Sequence, residues 1–322
     1  MMLLAKNLFT KNVNMEPTRN GYGEGLLEAG KKNRKIVALC ADLNESTRTH
    51  LFAKKFPERY FEVGVAEQNL ATVAAGMATE GMIPFITSYA TFSPGRNLEQ
   101  IRTTASYNNA NVKIVGSHAG VSVGPDGATH QATEDIAQMR SIPNMNVVYP
   151  CDSIEAKKAT LAIAKTKIPT YIRLAREKSP VMTVPSTPFK IGKAEVFQEG
   201  VDVTIAATGP LLYEALLAAR KLQKKLSCEV VNFHTIKPLD AKTLVASAKK
   251  TGAVVTVEEH QKMGGFGSAI TEVLAQQLPT PVEMIGLDDT FGESGPSEKL
   301  QEKYELTSPA IIKAIEKVIT RK

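Results

Sequence analysis

The side chains best suited to chemistry lie where apolar segments end. Glu67 follows the short strand predicted at 61–63 and begins a small-residue helix, in a stretch with almost no other charge. An acid at a helix start is ordinarily one that the helix dipole stabilises. A buried carboxyl that stays protonated can instead donate a hydrogen bond to a heterocyclic nitrogen. Position alone leaves both interpretations open.

A second group lies in the histidine loop, which we define as residues 116–137. The loop follows the predicted strand 112–116 and contains His118, Asp126 and His130 among several glycines. Ligands of open α/β sheets bind at the carboxyl ends of strands. The same three side chains could hold a metal, but the histidines are far apart and form no helical pair. We interpret the loop as one that binds substrate hydroxyl and phosphate groups.

Phe92 follows the predicted strand 82–87 and precedes a Pro-Gly turn. An aromatic side chain at a strand exit either packs in the core or offers its face to a planar ring, and the spacing favours neither. The glycine-rich segments 21–25 and 264–269 do not complete the dinucleotide-binding pattern. We interpret both as sites of close helix–strand packing.

Alternating short apolar and longer amphipathic segments supply the elements that must position these residues. The first series has predicted strands at 36–40, 82–87, 112–116, 146–149 and 170–174, and predicted helices at 18–31, 66–80, 95–106, 133–140 and 152–165. The second has strands at 202–207, 228–233, 253–258 and 282–285, and helices at 211–225, 241–250 and 267–278, with a short helix expected after 294 and a last one from 308.

This alternation predicts an α/β fold of two domains, each a mainly parallel sheet flanked by helices. The expected boundaries are an N-terminal arm at 1–16, a first domain at 17–178, a proline-rich linker at 179–190 and a second domain at 191–322. The arm is interpreted as a tail or a partner-binding segment.

Composition argues against several functional classes. The chain of 322 residues is 43% hydrophobic with a net charge of +6, and no dense Lys/Arg block suggests nucleic acid. No apolar run approaches the ~18 residues that span a bilayer. Cys40, Cys151 and Cys228 have no metal-ligand spacing and are predicted to be small buried hydrophobes. Without signal-peptide features, we expect a cytoplasmic protein that binds neither nucleic acid nor membranes.

Four segments together resemble the transketolase family of thiamine-diphosphate enzymes. They are FEVGVAEQN (61–69), SYATF (88–92), the stretch from SHAGV to VVYPCD (117–152) and VEEHQKMGGFGSA (257–269), in the family's order. The resemblance runs from about residue 18 to about residue 312 and implies a pyrimidine-binding domain followed by a transketolase C-terminal domain.

The Gly-Asp-Gly motif through which family members bind the diphosphate and its metal does not occur in this sequence. The resemblance therefore implies the C-terminal half of a split transketolase, which requires a second polypeptide carrying that motif. Magnesium or another divalent metal would be held by the partner, with no metal ligand on this chain. An α2β2 assembly is implied, in which this chain also self-associates.

The resemblance assigns roles around the cofactor. It implies that Glu67 bonds the aminopyrimidine at N1′ and favours the imino tautomer. Phe92 would stack on the pyrimidine, and Asp42 would lie near the cofactor and the dimer interface. Gly95 and Leu98 stand where the family often has further aromatics, so the ring pocket is expected to be lined differently.

The resemblance also assigns residues to the substrate. His118 and His130 would face it, the latter near its reacting carbonyl, and Asp126 would bind a sugar hydroxyl. The residues implied to clamp the sugar phosphate are Arg19, Ser46, His118 and Arg176. Arginine suits that role because it binds phosphate in a bidentate manner. The loop sequence GPDGATH departs from the family's usual GEDGPTH but keeps the spacing of Asp126 and His130.

The implied reaction is reversible transfer of a two-carbon ketol unit between sugar phosphates. Three alternatives are a 1-deoxyxylulose-5-phosphate synthase-like chain, a 2-oxo acid dehydrogenase β-like subunit and a non-catalytic regulatory subunit. His118 and the segment 132–137 favour transketolase over the first, and the histidine loop favours it over the second. Four retained residues argue against the third: Glu67, His118, Asp126 and His130.

Overall fold

Two mainly parallel sheets organise the chain in a computed structural model that describes residues 3–322. The elements of the first half are β1 (Met15–Glu16), α1 (Thr18–Lys32), β2 (Ile36–Cys40), α2 (His50–Lys55), β3 (Tyr60–Glu62), α3 (Glu67–Thr79), β4 (Ile83–Tyr89), α4 (Leu98–Gln100), β5 (Lys113–Ser117), α5 (Asp135–Ser141), β6 (Asn146–Val148), α6 (Ser153–Ile163), β7 (Thr170–Arg173) and β8 (Ser179–Pro180). Those of the second half are β9 (Glu195–Gln198), β10 (Val203–Ala207), α7 (Leu212–Leu222), β11 (Cys228–Asn232), β12 (Thr235–Lys237), α8 (Ala241–Thr251), β13 (Val254–Gln261), α9 (Phe266–Gln277), β14 (Val282–Leu287), α10 (Ser297–Lys303) and α11 (Ser308–Ile319).

The first sheet has seven strands in the order β12–β6–β7–β5–β4–β2–β3, and all its pairs are parallel except β12–β6. β2 is an unbroken apolar strand that is buried at every position, as a strand covered on both faces should be. Its alternate residues enter two apolar clusters, one with α1 and α6 and the other with α3 and α5. Residues that follow the parallel strands therefore meet at one edge of the sheet.

The second sheet has the order β14–β13–β10–β11–β9, parallel except for β9. One face packs against α7 and α11, and the other faces α8 and α9. The cluster around α8 and α9 is continuous with the cluster under α3 of the first half. β12 leaves the second half to pair with β6, matching Thr235 with Val148. The two halves thus share both an apolar core and a sheet.

The segments at 3–16 and 179–190 pack against each other and onto the second half. β1 pairs with β8 in antiparallel register, and the Ala5 N–H donates to the Met182 carbonyl at 2.8 Å. Leu8 is fully buried in the second apolar cluster, and Phe9 stacks on Tyr213 of α7 with 6.3 Å between ring centroids. The segment expected to be an arm is therefore held by its own chain from residue 3 onward.

The predicted α/β fold class is confirmed, and the three cysteines are free and buried as predicted. The helix predicted at 95–106 begins only at Leu98 and continues as a π-helical turn, Ile101–Ser106. The sequence reading did not include α2, β9 or β12. Within residues 3–322, no helix combines the length and apolar character that crossing a membrane requires.

Candidate active site

The predicted site residues gather at the carboxyl edge of the seven-stranded sheet. β4 leads to Tyr89 and Phe92, β5 leads to His118, and β7 leads to Arg176. These three strands are parallel neighbours, so their exits lie side by side. The position agrees with the general location of ligand sites in open α/β sheets.

The Glu67 corner consists of Glu67, Phe92 and Arg96. The Glu67 side chain, at the first residue of α3, is only 4% exposed. Nη1 of Arg96 lies 3.2 and 3.3 Å from its two carboxylate oxygens. The guanidinium carbon of Arg96 lies 4.1 Å from the centroid of the Phe92 ring. Arg96 thus contacts both the Glu67 carboxylate and the face of Phe92.

A row of rings continues from Phe92 into the histidine loop. The Phe92 ring meets His130 edge-on at 5.3 Å and lies nearly parallel to Tyr89 at 5.9 Å between centroids. Tyr89 in turn stacks on His118 at 3.8 Å. Residues far apart in the sequence thereby form one continuous line from the Glu67 corner to the two histidines.

Arg19 extends this row at its other end. Its Nη1 donates to the Ser46 carbonyl at 2.9 Å and lies 3.0 Å from Nε2 of His118. A guanidinium only donates, so Nε2 accepts and Nδ1 of His118 carries the proton that it donates to the Ser117 hydroxyl at 2.9 Å. His118 is therefore a neutral imidazole of defined tautomer.

The positive charges of three arginines act on His118, and one of them, Arg19, contacts it. Burial, and then the positive charges of Arg19, Arg176 and Arg48, lower the pKa of His118 to about 2. Burial and the positive charges of Arg48 and Arg176 also lower the pKa of Arg19. An anion placed among these groups would relieve their mutual repulsion and accept charge-assisted hydrogen bonds. The arrangement suits a phosphate or another strongly acidic group.

Both halves of the chain hold the histidine loop in place. Gln131 Nε2 donates to two carbonyls within the loop at 3.2 Å and to the Glu293 carbonyl of the second half at 3.0 Å. Glu259 at the end of β13 accepts from the N–H of Ser122 at 2.6 Å and from its hydroxyl at 3.1 Å. The loop is therefore a preformed surface rather than a free segment.

A buried ion pair anchors the end of the same loop. Asp135 Oδ2 accepts from Arg173 Nε at 2.8 Å, and the two side chains are 1% and 0% exposed. The Tyr171 hydroxyl donates to the same oxygen at 2.7 Å, and Arg173 also donates to the Ala132 carbonyl at 3.1 Å. These contacts fix the point at which the loop becomes α5.

The two predicted aspartates differ in where they lie. Asp126 Oδ1 is 3.9 Å from Arg176 Nη1, so Asp126 borders the cationic group around His118. Asp42 instead is exposed, and its backbone N–H donates to the Glu62 carboxylate at 2.7 Å. Its described contacts run to the end of β3 and not to the row of rings.

The glycine-rich segments serve packing, but the first lies between two helices and not between a helix and a strand as predicted. A Cβ at Gly21 would collide with the Ser153 carbonyl of α6, so α1 and α6 require glycine at this contact. At the second segment, the N–H groups of Phe266 and Gly267 donate to the Glu258 carboxylate at 2.6 and 2.7 Å. An internal carboxylate thus occupies the helix start where a phosphate would bind. Among residues 3–322, no cluster of three or more His, Cys, Asp or Glu is placed to hold a metal ion.

Sequence reasoning missed four residues of this site: Tyr89, Arg96, Arg48 and Gln131. Gln131 directly follows His130 in the sequence, but its role depends on a carbonyl of the second half. Arg48 has a left-handed backbone (φ 69°) and donates to Asn20 at 2.9 Å. Its position two residues after Ser46 was the only available signal.

The site fits a planar heteroaromatic group beside an anionic one. At the Glu67 corner, a buried carboxylate lies against an aromatic face, and the planar guanidinium between them already both stacks and donates a hydrogen bond. At the other end of the row, arginines surround a neutral histidine. Stacked rings, and not charged groups, lie between the two ends of the row.

Two family models match the chain. Residues 15–181 match the transketolase pyrimidine binding domain, and residues 192–311 match the transketolase C-terminal domain. A Methanocaldococcus jannaschii protein, assigned by inference as a transketolase C-terminal section, is 45% identical over 92% of this chain and 94% of its own length. The 6-deoxy-6-sulfo-D-fructose transketolase subunit SqwH of a Clostridium species is 42% identical over 94% of this chain and 95% of its own.

A solved structure is also similar. A split gene transketolase, described as an inactive β4 tetramer, superposes with a TM-score of 0.89 at 46% identity, covering 94% of this chain and 98% of that one. The chain therefore belongs to the transketolase family, and its two domains correspond to the pyrimidine-binding and C-terminal domains that form the C-terminal half of a split transketolase.

Proposed function

We propose that this chain is the C-terminal subunit of a thiamine-diphosphate-dependent transketolase. Together with a separate diphosphate-binding subunit, it transfers a two-carbon ketol unit between sugar phosphates. The observation that carries the proposal is the continuous row from the Glu67 corner through Phe92, His130 and His118 to Arg19. That row pairs a site for a heteroaromatic ring with a site for an anion.

Glu67 and Phe92 are the residues that would hold the pyrimidine ring of the cofactor. Thiamine diphosphate, when bound, supplies the carbanion chemistry that breaks and forms a carbon–carbon bond next to a carbonyl. The Glu67 carboxyl would exchange a proton with the ring nitrogen, and its burial at the start of α3 would keep competing water away. Phe92 orients the ring by offering one face.

The arginines and histidines would hold the substrate. Arg19, Arg48 and Arg176 surround His118 and provide the positive charge that an acidic sugar terminus requires. His118 is neutral and hydrogen-bonded on both ring nitrogens, so it fixes the position of Arg19. His130 lies between this group and Phe92, where it can exchange a proton with the substrate near the reacting carbon. Asp126, beside Arg176, would accept from a sugar hydroxyl.

The name of one relative supports an anionic sugar as the substrate. The Clostridium protein is named for 6-deoxy-6-sulfo-D-fructose, a sugar with a strongly acidic terminus. Sulfonate and phosphate groups both accept several hydrogen bonds from guanidinium groups. We assign sugar phosphates to this chain because the cationic group around His118 suits that charge.

A second polypeptide completes the proposed enzyme. It would carry the Gly-Asp-Gly motif and the ligands for magnesium or another divalent metal, in an α2β2 assembly in which copies of this chain also meet. The related split transketolase is described as an inactive β4 tetramer, which supports a need for the partner. Asp42 is expected near the interface between copies, and its exposed position is compatible with this. We place the enzyme in the cytoplasm, in the pentose phosphate interconversions.

Reconstitution tests the proposal. The chain is assayed alone and with the product of a neighbouring gene that encodes the motif, in the presence of thiamine diphosphate, magnesium, xylulose 5-phosphate and ribose 5-phosphate. Sedoheptulose 7-phosphate is expected from the pair and not from the chain alone, and omission of thiamine diphosphate is the control. Turnover by the isolated chain would contradict the two-subunit proposal, and turnover of pyruvate would contradict the substrate assignment.

A further inference from the structure

Arg96 lies between the two residues that would hold the cofactor ring. Its Nη1 is 3.2 and 3.3 Å from the Glu67 carboxylate oxygens, and its guanidinium carbon is 4.1 Å from the centroid of the Phe92 ring. A guanidinium is planar, stacks on aromatic faces and donates hydrogen bonds from its edge. Arg96 therefore makes both contacts that a bound aminopyrimidine would make with Glu67 and Phe92.

We propose that Arg96 is an internal stand-in for the cofactor ring and that its side chain must leave the Glu67 corner before thiamine diphosphate can bind. This inference rests on the proposed function, because it takes Glu67 and Phe92 as the residues that receive the ring. Arg96 then controls the binding of the cofactor, independently of any role in the reaction.

The two occupants exclude each other. Both carboxylate oxygens of Glu67 already accept from one nitrogen of Arg96, and the guanidinium covers a face of Phe92 at stacking distance. A ring stacked on that face and bonded to that carboxylate would coincide with the guanidinium. The guanidinium must therefore leave before the ring can bind, and the structure indicates that it can.

The side chain of Arg96 is free to move while its backbone is fixed. It is 49% exposed, whereas that of Glu67 is 4% exposed. The Arg96 N–H donates to the Phe92 carbonyl at 2.8 Å, and Asn97 bonds the Glu67 carbonyl at 2.9 Å and the Ser93 hydroxyl at 3.2 Å. Rotation of one long side chain into solvent therefore opens the corner without any change of backbone.

The contact also explains why the chain tolerates a buried acid before the cofactor arrives. A carboxylate removed from water needs a counter-ion or hydrogen-bond donors, and Arg96 supplies both. The closed arrangement lowers the apparent affinity for the ring by the fraction of molecules that are closed. A part-exposed ion pair and a cation–π contact together give a closed population that weakens binding roughly three- to tenfold.

Calorimetric titration of thiamine diphosphate, with magnesium, into the assembled two-subunit complex tests this inference. Four forms of this chain are compared: wild type, Arg96→Gln, Arg96→Lys and Arg102→Gln. Arg102 is an exposed arginine of the next turn and serves as the matched control for loss of one positive charge. Arg96→Lys keeps a positive charge beside Glu67. It therefore tests the inference on a folded site even if Arg96→Gln destabilises the chain.

We expect Arg96→Gln to bind thiamine diphosphate roughly three- to tenfold more tightly than wild type, with Arg96→Lys in between and Arg102→Gln unchanged. Unchanged or weaker binding by Arg96→Gln, while the wild type binds, overturns the inference and leaves the proposed function standing. Equal tightening by Arg102→Gln overturns it as well, because the effect would then come from overall charge. Failure of all four forms to bind overturns the proposed function and this inference with it.

Discussion

The histidine loop is held on several sides by its own chain, whereas the Glu67 corner is open on one side. Gln131, Glu259 and the Asp135–Arg173 pair tie the loop to both halves with buried contacts. Around the corner, Arg96 is 49% exposed, Val65 is 68% exposed and Phe61 is 38% exposed. The difference is the one expected under the proposed function, in which this chain alone forms the substrate side and a second chain covers the cofactor side.

The largest effect is expected at the open corner. Glu67→Gln keeps the size of the side chain but removes its ability to hold and release a proton. We expect kcat of the reconstituted enzyme to fall roughly 10²–10⁴-fold, the range of general acid–base catalysis, with assembly intact. Steady-state kinetics and size-exclusion chromatography measure the two quantities. Glu80→Gln, at the exposed far end of the same helix, is the control. Retention of most activity by Glu67→Gln would rule out the proposed role.

At the histidine loop, a large effect on stability is expected instead. Asp135→Ala leaves the fully buried Arg173 without its partner, and a buried pair broken in this way costs about 3–5 kcal/mol of unfolding free energy. Urea denaturation of the isolated chain measures the loss. Asp288→Ala removes a pair to Lys262 in which the aspartate is 84% exposed, and should cost less than about 1 kcal/mol. Similar losses for the two variants would show that the loop is not locked as described.

A smaller effect is expected where the corner is open. Val65 is an exposed apolar residue two positions before Glu67, and a charge there would have to be desolvated against an incoming subunit. Val65→Asp should weaken association with the diphosphate-binding subunit about tenfold, or about 1.4 kcal/mol, as measured by biolayer interferometry. The control is Val201→Asp, which changes an equally apolar, 58% exposed residue of the second half. If both variants associate normally, the partner docks elsewhere.

The smallest effect is a missing titration. Because burial and the neighbouring arginines lower the pKa of His118 to about 2, its ring should stay neutral between pH 5 and 8 in carbon-detected NMR spectra of the free chain. Its contribution to stability is present above the unfolded value of 6.5 and is lost as the pH falls below it. Arg19→Gln removes one of the nearby charges and should raise the pKa of His118. A His118 signal that titrates near pH 6.5 would mean that the cationic group is not assembled.

Much of the site could be predicted because parallel strands place their exits side by side. Phe92 and His118 follow strands whose apolar runs are plain in the sequence, and the histidine loop carries His130 to the same edge. Glu67 stood out because the sequence around it has almost no other charge. Local patterns and the rule for parallel sheets predict where these residues lie, whereas their roles were implied only by the resemblance to transketolases.

The remaining features depend on contacts between distant segments. Arg96 is one of many arginines, and spacing cannot reveal that a long side chain turns back over Phe92 to reach Glu67. Arg48 acts on the site through its positive charge, which lowers the pKa of Arg19. Its closeness to Arg19 depends on the packing of α1. β12 was not predicted because it is short and is held in place by pairing with β6 of the other half of the chain.

β12 also determines how the molecule can be divided. Since it completes the first sheet on β6, a fragment that ends before residue 235 would present an unpaired strand edge to solvent. Such edges recruit strands from other chains and promote aggregation or domain swapping. Cleavage of the peptide backbone within 179–190 would, by contrast, leave the two pieces joined through that strand and the shared apolar cluster. The nicked protein would run as two bands under denaturing conditions and as one particle in solution.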